Sequence, residues 1–274
     1  GAIASRDGSL DYPTYATANW LIARRLWGHT ADASDQLSVE YLLTAQLTAG
    51  RGFNPEHAAF GLWDLLGPGD AVGISTGSNV SVTVFALEAL EPLDTPAVRT
   101  AKKEARGWLT RAAALSADGG FPFSAEAAEH QHKAGLRDEK PPRPFSYGSA
   151  TADGVRCLLL AETASEQPAV VKGLTWLVQR DKLDIVPGFE QLPPEIGWQR
   201  GLRFYYYQSL AKTLRHFPPA EQASRRSALA KIIVAQQLAN GSWINESARM
   251  REDDPLIATS FGLMALGELL AHPE

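Results

Sequence analysis

The feature that most constrains the fold is an internal repeat in which two kinds of helical segment alternate. Five apolar segments carry small and apolar residues at matching places. They align on Thr17, Thr83, Thr151, Tyr207 and Thr259. Their sequences are YATANWLIARRL (15–26), SVTVFALEAL (81–90), SATADGVRCLLLA (149–161), FYYYQSLAKTL (204–214) and LIATSFGLMAL (256–266). Segments that are apolar around most of their circumference are typical of helices buried on several sides.

Amphipathic segments lie between the apolar ones, each with a charged face and an apolar stripe at helical spacing. They span residues 35–48, 96–113, 167–180 and 220–238. Each then runs into a glycine–aromatic turn, and these turns are GRGF (50–53), DGGF (118–121), PGF (187–189) and NGSW (240–243). One repeat therefore consists of an amphipathic helix, a glycine–aromatic turn, a loop and an apolar helix.

Such repeats bury their faces against their neighbours and can curl into a ring. We therefore expect a single all-α domain over residues 1–274, an α/α toroid whose apolar helices line a central cavity and whose amphipathic helices face solvent. Five apolar and four amphipathic helices predict a ring that is open or lacks its first helix. The polar, proline-containing stretch 126–148 is expected to have no regular structure.

Composition narrows the classes of function. A net charge of −5 and a pI of about 5.7 argue against a nucleic-acid-binding protein. No apolar run reaches the roughly 18 residues of a transmembrane helix. The single cysteine, Cys157, excludes an intrachain disulfide and a multi-cysteine zinc site. The chain starts without Met and close to a helix, so we interpret its N-terminus as shortened, which leaves export, compartment and oligomeric state open.

A resemblance to a known family rests on Gln237, Gly241 and Trp243. These residues resemble the QW repeat of squalene–hopene cyclases and related prenyltransferase/squalene-oxidase repeat proteins. A degenerate copy is formed by Gln46, Gly50, Gly52 and Phe53. The resemblance extends over nearly the whole chain. The chain is similar in this respect to bacterial members of the superfamily that have no assigned reaction. It implies an α/α toroid with a cavity for an isoprenoid or other apolar ligand.

The same three residues also have a purely structural interpretation. Gln237 at the end of a helix can bond orphan backbone groups. Gly241 permits the left-handed turn that stops the helix. Trp243 can then pack back over the junction and bury a large apolar area. We expect these residues to fasten helices together and to take no part in chemistry.

The acidic stretch REDDP, which follows the last turn, holds the catalytic candidates. A class II terpene cyclase protonates its substrate with an aspartic acid in a D-x-D-D motif, and Asp253 and Asp254 are the candidate acids here. Such an acid needs a raised pKa in a dry pocket. Arg251 stands where the first aspartate of the motif would be. Alternatively, Asp254 caps the last helix with Pro255 at its first position.

Metal and cofactor chemistry finds little support in the sequence. Protein prenyltransferases hold zinc with Asp, Cys and His; Asp153 lies one turn before Cys157, but no later repeat has a matching histidine. We expect Cys157 to be a buried apolar residue. The cluster EHQH, with Glu129, His130 and His132, could bind a metal loosely, but a solvated loop is the preferred interpretation. We therefore predict no metal and no cofactor.

Aromatic and basic residues near the starts of the apolar helices are the predicted ligand-binding set. In a toroid these starts surround one mouth of the cavity, where such side chains can stack on sugars or hold a polyprenyl chain. The set consists of Tyr12, Tyr147, Trp198, Arg203, Tyr205 and Tyr206. The alternative for each of them is packing within the core.

Three functions stay open at this stage. The first is an enzyme or binder that acts on an isoprenoid or other apolar ligand. The second is a carbohydrate-active toroid, in which Asp11 and Asp253 or Asp254 would form a carboxylate pair about 5–10 Å apart. The third is a non-catalytic interaction module, which would expose an apolar patch. Fold alone does not choose among them.

Overall fold

The computed structural model describes residues 12–68, 77–124 and 132–271. Within these ranges it contains ten α-helices and no β-strand. The helices are α1 (Pro13–Leu26), α2 (Ala33–Ala45), α3 (Val80–Leu90), α4 (Pro96–Leu115), α5 (Gly148–Leu160), α6 (Pro168–Val178), α7 (Trp198–Gly201), α8 (Arg203–Leu214), α9 (Pro219–Ala235) and α10 (Pro255–Ala271). The all-α prediction is confirmed. All nine predicted helices are present, and only the single turn α7 was not expected.

Local signals in the sequence explain where the helices begin. Asp32 caps α2, since its side chain accepts bonds from the backbone N–H groups of Ser34 and Asp35. Asn79 caps α3 by accepting a 3.0 Å bond from the N–H of Val82. Proline is the first residue of α1, α4, α6, α9 and α10, where its missing N–H costs no hydrogen bond.

The chain forms two compact units. The first comprises the described parts of 1–114, 123–131 and 157–167, and the second those of 115–122, 132–156 and 168–274. In the first unit the apolar helices α1 and α3 pack together. The ring of Tyr15 meets the ring of Phe85 edge-on at 5.5 Å, and the Tyr15 hydroxyl donates a 2.6 Å bond to Ser81.

In the second unit α8 packs against α10, and both contact α9. The rings of Tyr205 and Phe261 meet edge-on at 5.4 Å, in the same way as Tyr15 and Phe85 in the first unit. Trp176 and Trp243 are almost completely buried in this unit. Both units thus pack one apolar helix against another and add amphipathic helices around them.

The turn after α9 has the geometry that its sequence predicts. Gly241 has a φ of +84°, and the Gln237 side chain donates a 2.8 Å bond to the Gly241 carbonyl. Trp243 is 2% exposed, and its indole N–H donates a 2.7 Å bond to the carbonyl of Ile233 in α9. Its backbone N–H donates a 3.0 Å bond to the hydroxyl of Thr259 in α10. The turn therefore fastens α9 to α10.

This last bond recurs, and we call it the threonine tie: the backbone N–H of an aromatic residue donates to a threonine hydroxyl in the apolar helix that follows. The ties are Trp63–Thr83 at 3.3 Å, Phe121–Thr151 at 3.0 Å and Trp243–Thr259 at 3.0 Å. The glycines two residues before the aromatics have positive φ, namely Gly61 (+97°), Gly119 (+87°) and Gly241 (+84°). Three of the five aligned positions are therefore equivalent in their bonding.

The sequence predicts Phe53 as the aromatic of the first turn, and the first tie shows that this prediction is wrong. Phe53 is indeed buried and follows Gly52 at a φ of +78°. However, it is Trp63 that makes the tie, and Gln46 bonds to the carbonyl of Gly61 at 2.9 Å and not to the turn at 50–53. The intervening residues separate the glutamine from its true glycine and aromatic partners.

The ties also explain why glycine occupies two positions inside the apolar helices. Thr151 and Thr259 are each followed three residues later by glycine, one turn along the same face. A Cβ on Gly154 would lie 2.3 Å from Cγ of Phe121, and one on Gly262 would lie 3.4 Å from Cδ2 of Trp243. The aromatic ring of each tie therefore rests on the helix where a side chain would stand, most tightly at Gly154.

Candidate functional site

A fully buried carboxyl group, that of Asp153 in α5, is the chemical centre of the second unit. Its Oδ1 accepts a 2.5 Å bond from the Ser209 hydroxyl and a 3.4 Å bond from the Arg156 guanidinium. Its Oδ2 accepts a 2.6 Å bond from the Tyr205 hydroxyl. Burial raises the pKa of Asp153 to about 6, although the Arg156 charge and the hydroxyl donors oppose that rise.

The hydrogen-bonded chain continues along α8 behind Asp153. Gln208 donates a 3.0 Å bond from its amide nitrogen to the Ser209 hydroxyl, which in turn donates to Asp153. Gln208 is fully buried, and among the described residues its amide oxygen has no hydrogen-bond partner. Tyr205, by contrast, is half-buried. Of the three residues that bond to the Asp153 carboxyl, Tyr205 is the one that is partly exposed.

A second buried carboxyl group, that of Glu252, holds the start of α8. It is 0% exposed and accepts bonds from the backbone N–H groups of Phe204 (3.0 Å) and Tyr205 (2.9 Å). The Asn245 amide donates a further 2.7 Å bond to it. Burial raises the pKa of Glu252 to about 7, against the lowering effect of these donors. Arg251, with a φ of 58°, makes the turn just before Glu252.

Tyr205 joins these two carboxyl groups. Its hydroxyl donates to Asp153 and its backbone N–H donates to Glu252. A partly protonated acid at the start of a helix and a second acid midway along a neighbouring helix are thus linked through one residue. Carboxyl groups whose pKa values lie near neutrality can act as general acids or bases in enzymes.

The predicted acids Asp253 and Asp254 occupy other environments. Asp253 is exposed, so it lacks the dry surroundings that acid catalysis requires. Asp254 accepts a 2.9 Å bond from the backbone N–H of Leu256 and caps α10, as the alternative interpretation expected. The buried acid of this stretch is their neighbour Glu252, which the sequence does not distinguish from the two aspartates.

Two predicted residues lie at the start of the chain. Asp11 lies outside the described residues, so its pairing with Asp253 or Asp254 stays a prediction. Tyr12 belongs to the first unit, precedes α1 with a φ of 50°, and is 55% exposed. The other predicted ligand-binding residues all belong to the second unit.

Two of the predicted aromatics are packing residues. Tyr147 is 2% exposed and stacks at a tilt on Phe189, with ring centroids 4.8 Å apart. Tyr206 is 1% exposed, and burial raises the pKa of its hydroxyl. Both contribute to the core of the second unit and not to an accessible wall.

Trp198 and Arg203 are more accessible. Trp198 is half-buried, with the Lys133 amine 5.7 Å and the Arg249 guanidinium 5.0 Å from its ring centroid. Burial lowers the pKa of Lys133 to about 7. Arg203 donates a 2.5 Å bond to Glu246 and also lies close enough to Glu252 to act on its charge. Of the predicted set, Tyr205 is the residue that the structure places in the buried acid cluster.

Cys157 is buried, as expected, and its thiol lies 3.6 Å from the carbonyl oxygen of Val80. Over the described ranges, no three or more His, Cys, Asp or Glu side chains group as they would around a metal ion. Of the EHQH cluster, Glu129 and His130 lie outside these ranges, and His132 is buried.

Comparison with known proteins leaves the family unassigned. No protein-family model matches the chain, and no curated protein matches it. None of the helices in the described part of the chain combines the length and apolar character needed to cross a membrane.

Proposed function

We propose that the protein is an α/α-toroid repeat protein of terpene-cyclase type that binds an isoprenoid or other apolar ligand and protonates it. Asp153 is the source of the proton, and the Tyr205 hydroxyl passes that proton to the ligand. The observation that carries this proposal is the fully buried Asp153 carboxyl, whose pKa of about 6 lets it hold a proton near neutral pH, bonded to the half-buried Tyr205 hydroxyl.

The proton passes along a two-step path. When Asp153 is protonated, its hydrogen bond with Tyr205 reverses: the Asp153 carboxyl donates to the Tyr205 oxygen, and the Tyr205 hydroxyl proton is free to point towards the ligand. Tyr205 then gives its proton to the ligand, at an alkene carbon or an epoxide oxygen, while Asp153 gives its own proton to the Tyr205 oxygen. The tyrosine is thereby unchanged and Asp153 becomes a carboxylate, which the Ser209 hydroxyl and the Arg156 guanidinium stabilise. The resulting carbocation lies beside the Tyr205 and Phe261 rings, whose faces attract positive charge.

The experiment is turnover of squalene, 2,3-oxidosqualene and geranylgeranyl diphosphate, followed by mass spectrometry of the products. Asp153→Asn and Tyr205→Phe should each lower turnover by at least about 100-fold while ligand binding persists. Asp253→Asn is the matched control and should keep its activity, because Asp253 is exposed. Full activity of Asp153→Asn, or no binding of any of the three compounds, would reject the proposal.

The carbohydrate-active alternative depends on Asp11 and stays a prediction. The interaction-module alternative has one specific observation in its favour, the exposed leucines of α10. An interaction surface on α10 is compatible with an acid site on α5 and α8, so the two proposals can be tested separately.

A further inference from the structure

The turn that fastens α9 to α10 contains an asparagine followed by a glycine. Of the five asparagines in the chain, only Asn240 precedes glycine, and both Asn240 and Gly241 are exposed. The backbone nitrogen of a residue can attack the side-chain amide of a preceding asparagine, and a side chain on the attacking residue hinders this step. Gly241 has no side chain, and apart from its chain neighbours no atom lies within 4 Å of the place where its Cβ would stand. The Asn240 amide is therefore the one that its following residue is least hindered from attacking.

The side-chain carbonyl of Asn240 is held by two donors of Ser242. Its Oδ1 accepts a 3.1 Å bond from the backbone N–H of Ser242 and a 2.8 Å bond from the Ser242 hydroxyl. Attack on Cγ places negative charge on this oxygen. Hydrogen-bond donors at about 2.7–3.1 Å are the arrangement that stabilises such an oxyanion in acyl-transfer enzymes. Ser242 therefore supplies the stabilisation that the attack on Asn240 requires.

Two other hydrogen bonds in the turn oppose the attack. The backbone N–H of Gly241 donates a 2.9 Å bond to the carbonyl of Leu238, and the Gln237 side chain donates a 2.8 Å bond to the carbonyl of Gly241. The Gly241 nitrogen has to leave the first bond before it attacks, so the turn has to open. Gln237, Leu238 and Gly241 are exposed, and hydrogen bonds at exposed turns open at little cost in free energy. We expect the Gln237 bond to slow the attack.

The turn at 118–121 shows which product fits this position. It carries Asp118 at the place of Asn240. Asp118 accepts a 3.2 Å bond from the backbone N–H of Gly120, two residues further on, just as Asn240 accepts one from Ser242. An aspartate with an ordinary backbone is therefore compatible with such a turn. An isoaspartate is not, because its backbone runs through the side chain and adds one carbon atom to the turn.

We propose that Asn240 is a site of spontaneous deamidation, assisted by Ser242, that loosens the fastening of α9 to α10. The Gly241 nitrogen forms a bond to Cγ of Asn240, the bond from Cγ to Nδ2 breaks, and the proton of the Gly241 nitrogen leaves with ammonia. Water then opens the cyclic imide at either carbonyl, which gives aspartate or isoaspartate. The reaction needs water alone, so it is independent of the ligand chemistry proposed above.

The test is incubation of the folded chain at mildly alkaline pH over several weeks. Peptide mass spectrometry measures the replacement of the Asn240 amide by a carboxyl group. Methyl transfer from labelled S-adenosylmethionine by an isoaspartyl methyltransferase measures isoaspartate. Asn54 is the internal control, because it is exposed but is followed by Pro55, which has no backbone N–H. We expect both signals to grow at Asn240, and no product there, or as much at Asn54, overturns the proposal.

Two variants test the parts played by the neighbouring residues. Ser242→Ala removes the hydroxyl donor and keeps the backbone N–H, so deamidation should slow by roughly two- to tenfold. Gln237→Ala removes the bond to the Gly241 carbonyl and should speed deamidation. Circular dichroism checks that both variants are folded. If Ser242→Ala deamidates faster than the unmodified chain, Ser242 protects Asn240 and the assisting role is overturned.

The effect on the fastening is measured with Asn240→Asp. This variant carries the aspartate product on an ordinary backbone and should keep the melting temperature of the unmodified chain, because Asp118 occupies the same place in the turn at 118–121. Aged chain that has accumulated isoaspartate should melt at a lower temperature. If aged and fresh chains melt alike although isoaspartate is present, the loosening of α9 from α10 is overturned.

Discussion

The hydroxyl of Tyr205 donates a 2.6 Å hydrogen bond to the buried carboxyl group of Asp153. The backbone N–H of the same tyrosine donates to Glu252. One residue at the start of α8 therefore senses the protonation of two buried acids. We expect a change of protonation at Asp153 to act on the Tyr205 side chain, and a change at Glu252 to act on the start of α8. The two effects can be measured separately.

The pH dependence of stability should report the buried Asp153. Its pKa is about 6 in the folded state and near 3.8 in the unfolded chain, so its protonated form favours folding. That contribution is complete below about pH 3.8 and is lost as the pH rises through about 6, and it corresponds to roughly 3 kcal/mol. Asp153→Asn should remove this loss.

The measurement is urea denaturation of the unmodified chain and Asp153→Asn at pH 4 and pH 7. The free energy of unfolding should fall more between these values in the unmodified chain than in the variant. An equal pH dependence in the two proteins would show that Asp153 ionises normally.

Glu252 should prove to be a stabilising cap. Replacing it by alanine leaves the backbone donors of Phe204 and Tyr205 and the amide of Asn245 without an acceptor, at a cost of roughly 3 kcal/mol or more. Since the folded pKa is about 7 and the unfolded one near 4.5, the loss should be larger at pH 5 than at pH 8.

The matched control for Glu252→Ala is Asp253→Asn, one residue further along the chain. Asp253 is exposed, and substitutions at such positions usually change stability by less than about 0.5 kcal/mol. Thermal denaturation at both pH values gives the comparison. Equal stabilities for the two variants would contradict the assignment of Glu252 as the cap of α8.

The positions of the helices can be predicted from the sequence, but the positions of the two buried acids cannot, for a physical reason. The helices follow from the spacing of their apolar residues, which depends on local geometry alone. The identity of the buried acids does not follow from this spacing, because whether a carboxyl group is buried depends on contacts that form only in the folded chain. Asp153 leaves one signal, a carboxylate within an otherwise apolar segment. Glu252 leaves none that separates it from Asp253 beside it.

Close packing at the second threonine tie gives a sharp test. Gly154→Ala should destabilise the protein by several kcal/mol, since its Cβ would meet Phe121 at 2.3 Å in a filled core. Gly107→Ala, in the middle of α4, meets nothing closer than 3.7 Å, and that atom is the end of the flexible Arg111 side chain. Alanine there should stabilise the helix by roughly 0.5–1 kcal/mol. Denaturant midpoints of the two variants should therefore move in opposite directions.

The threonine hydroxyls themselves can be tested with an isosteric change. Thr151→Val and Thr259→Val keep the shape but remove the acceptor for the N–H of Phe121 or Trp243, at a cost of roughly 1–3 kcal/mol each. Thr100→Val, at an exposed position of α4, should change stability by less than about 0.5 kcal/mol. Unfolding free energies that are the same for all three variants would show that the ties contribute nothing.

The first tie shows where linear spacing misleads. Gln46 and Phe53 have nearly the spacing of Gln237 and Trp243, so the sequence favours Phe53 as the equivalent aromatic. A longer loop instead separates Gln46 from Trp63. The hydrogen bond from the Trp63 backbone N–H to Thr83 shows that Trp63 is the residue equivalent to Trp243. A threonine followed three residues later by glycine or alanine is the more dependable signal, because it reflects the ring that rests on the helix.

The threonine ties also bear on how the chain reaches its fold. Their partners are separated by 20, 30 and 16 residues, so each tie closes a short loop. Short loops cost little entropy to close, and chains rich in near-neighbour contacts fold fast. Each repeat can thus acquire its own turn and helix pair before distant parts of the chain meet, so folding can start in any of these three repeats and spread to its neighbours.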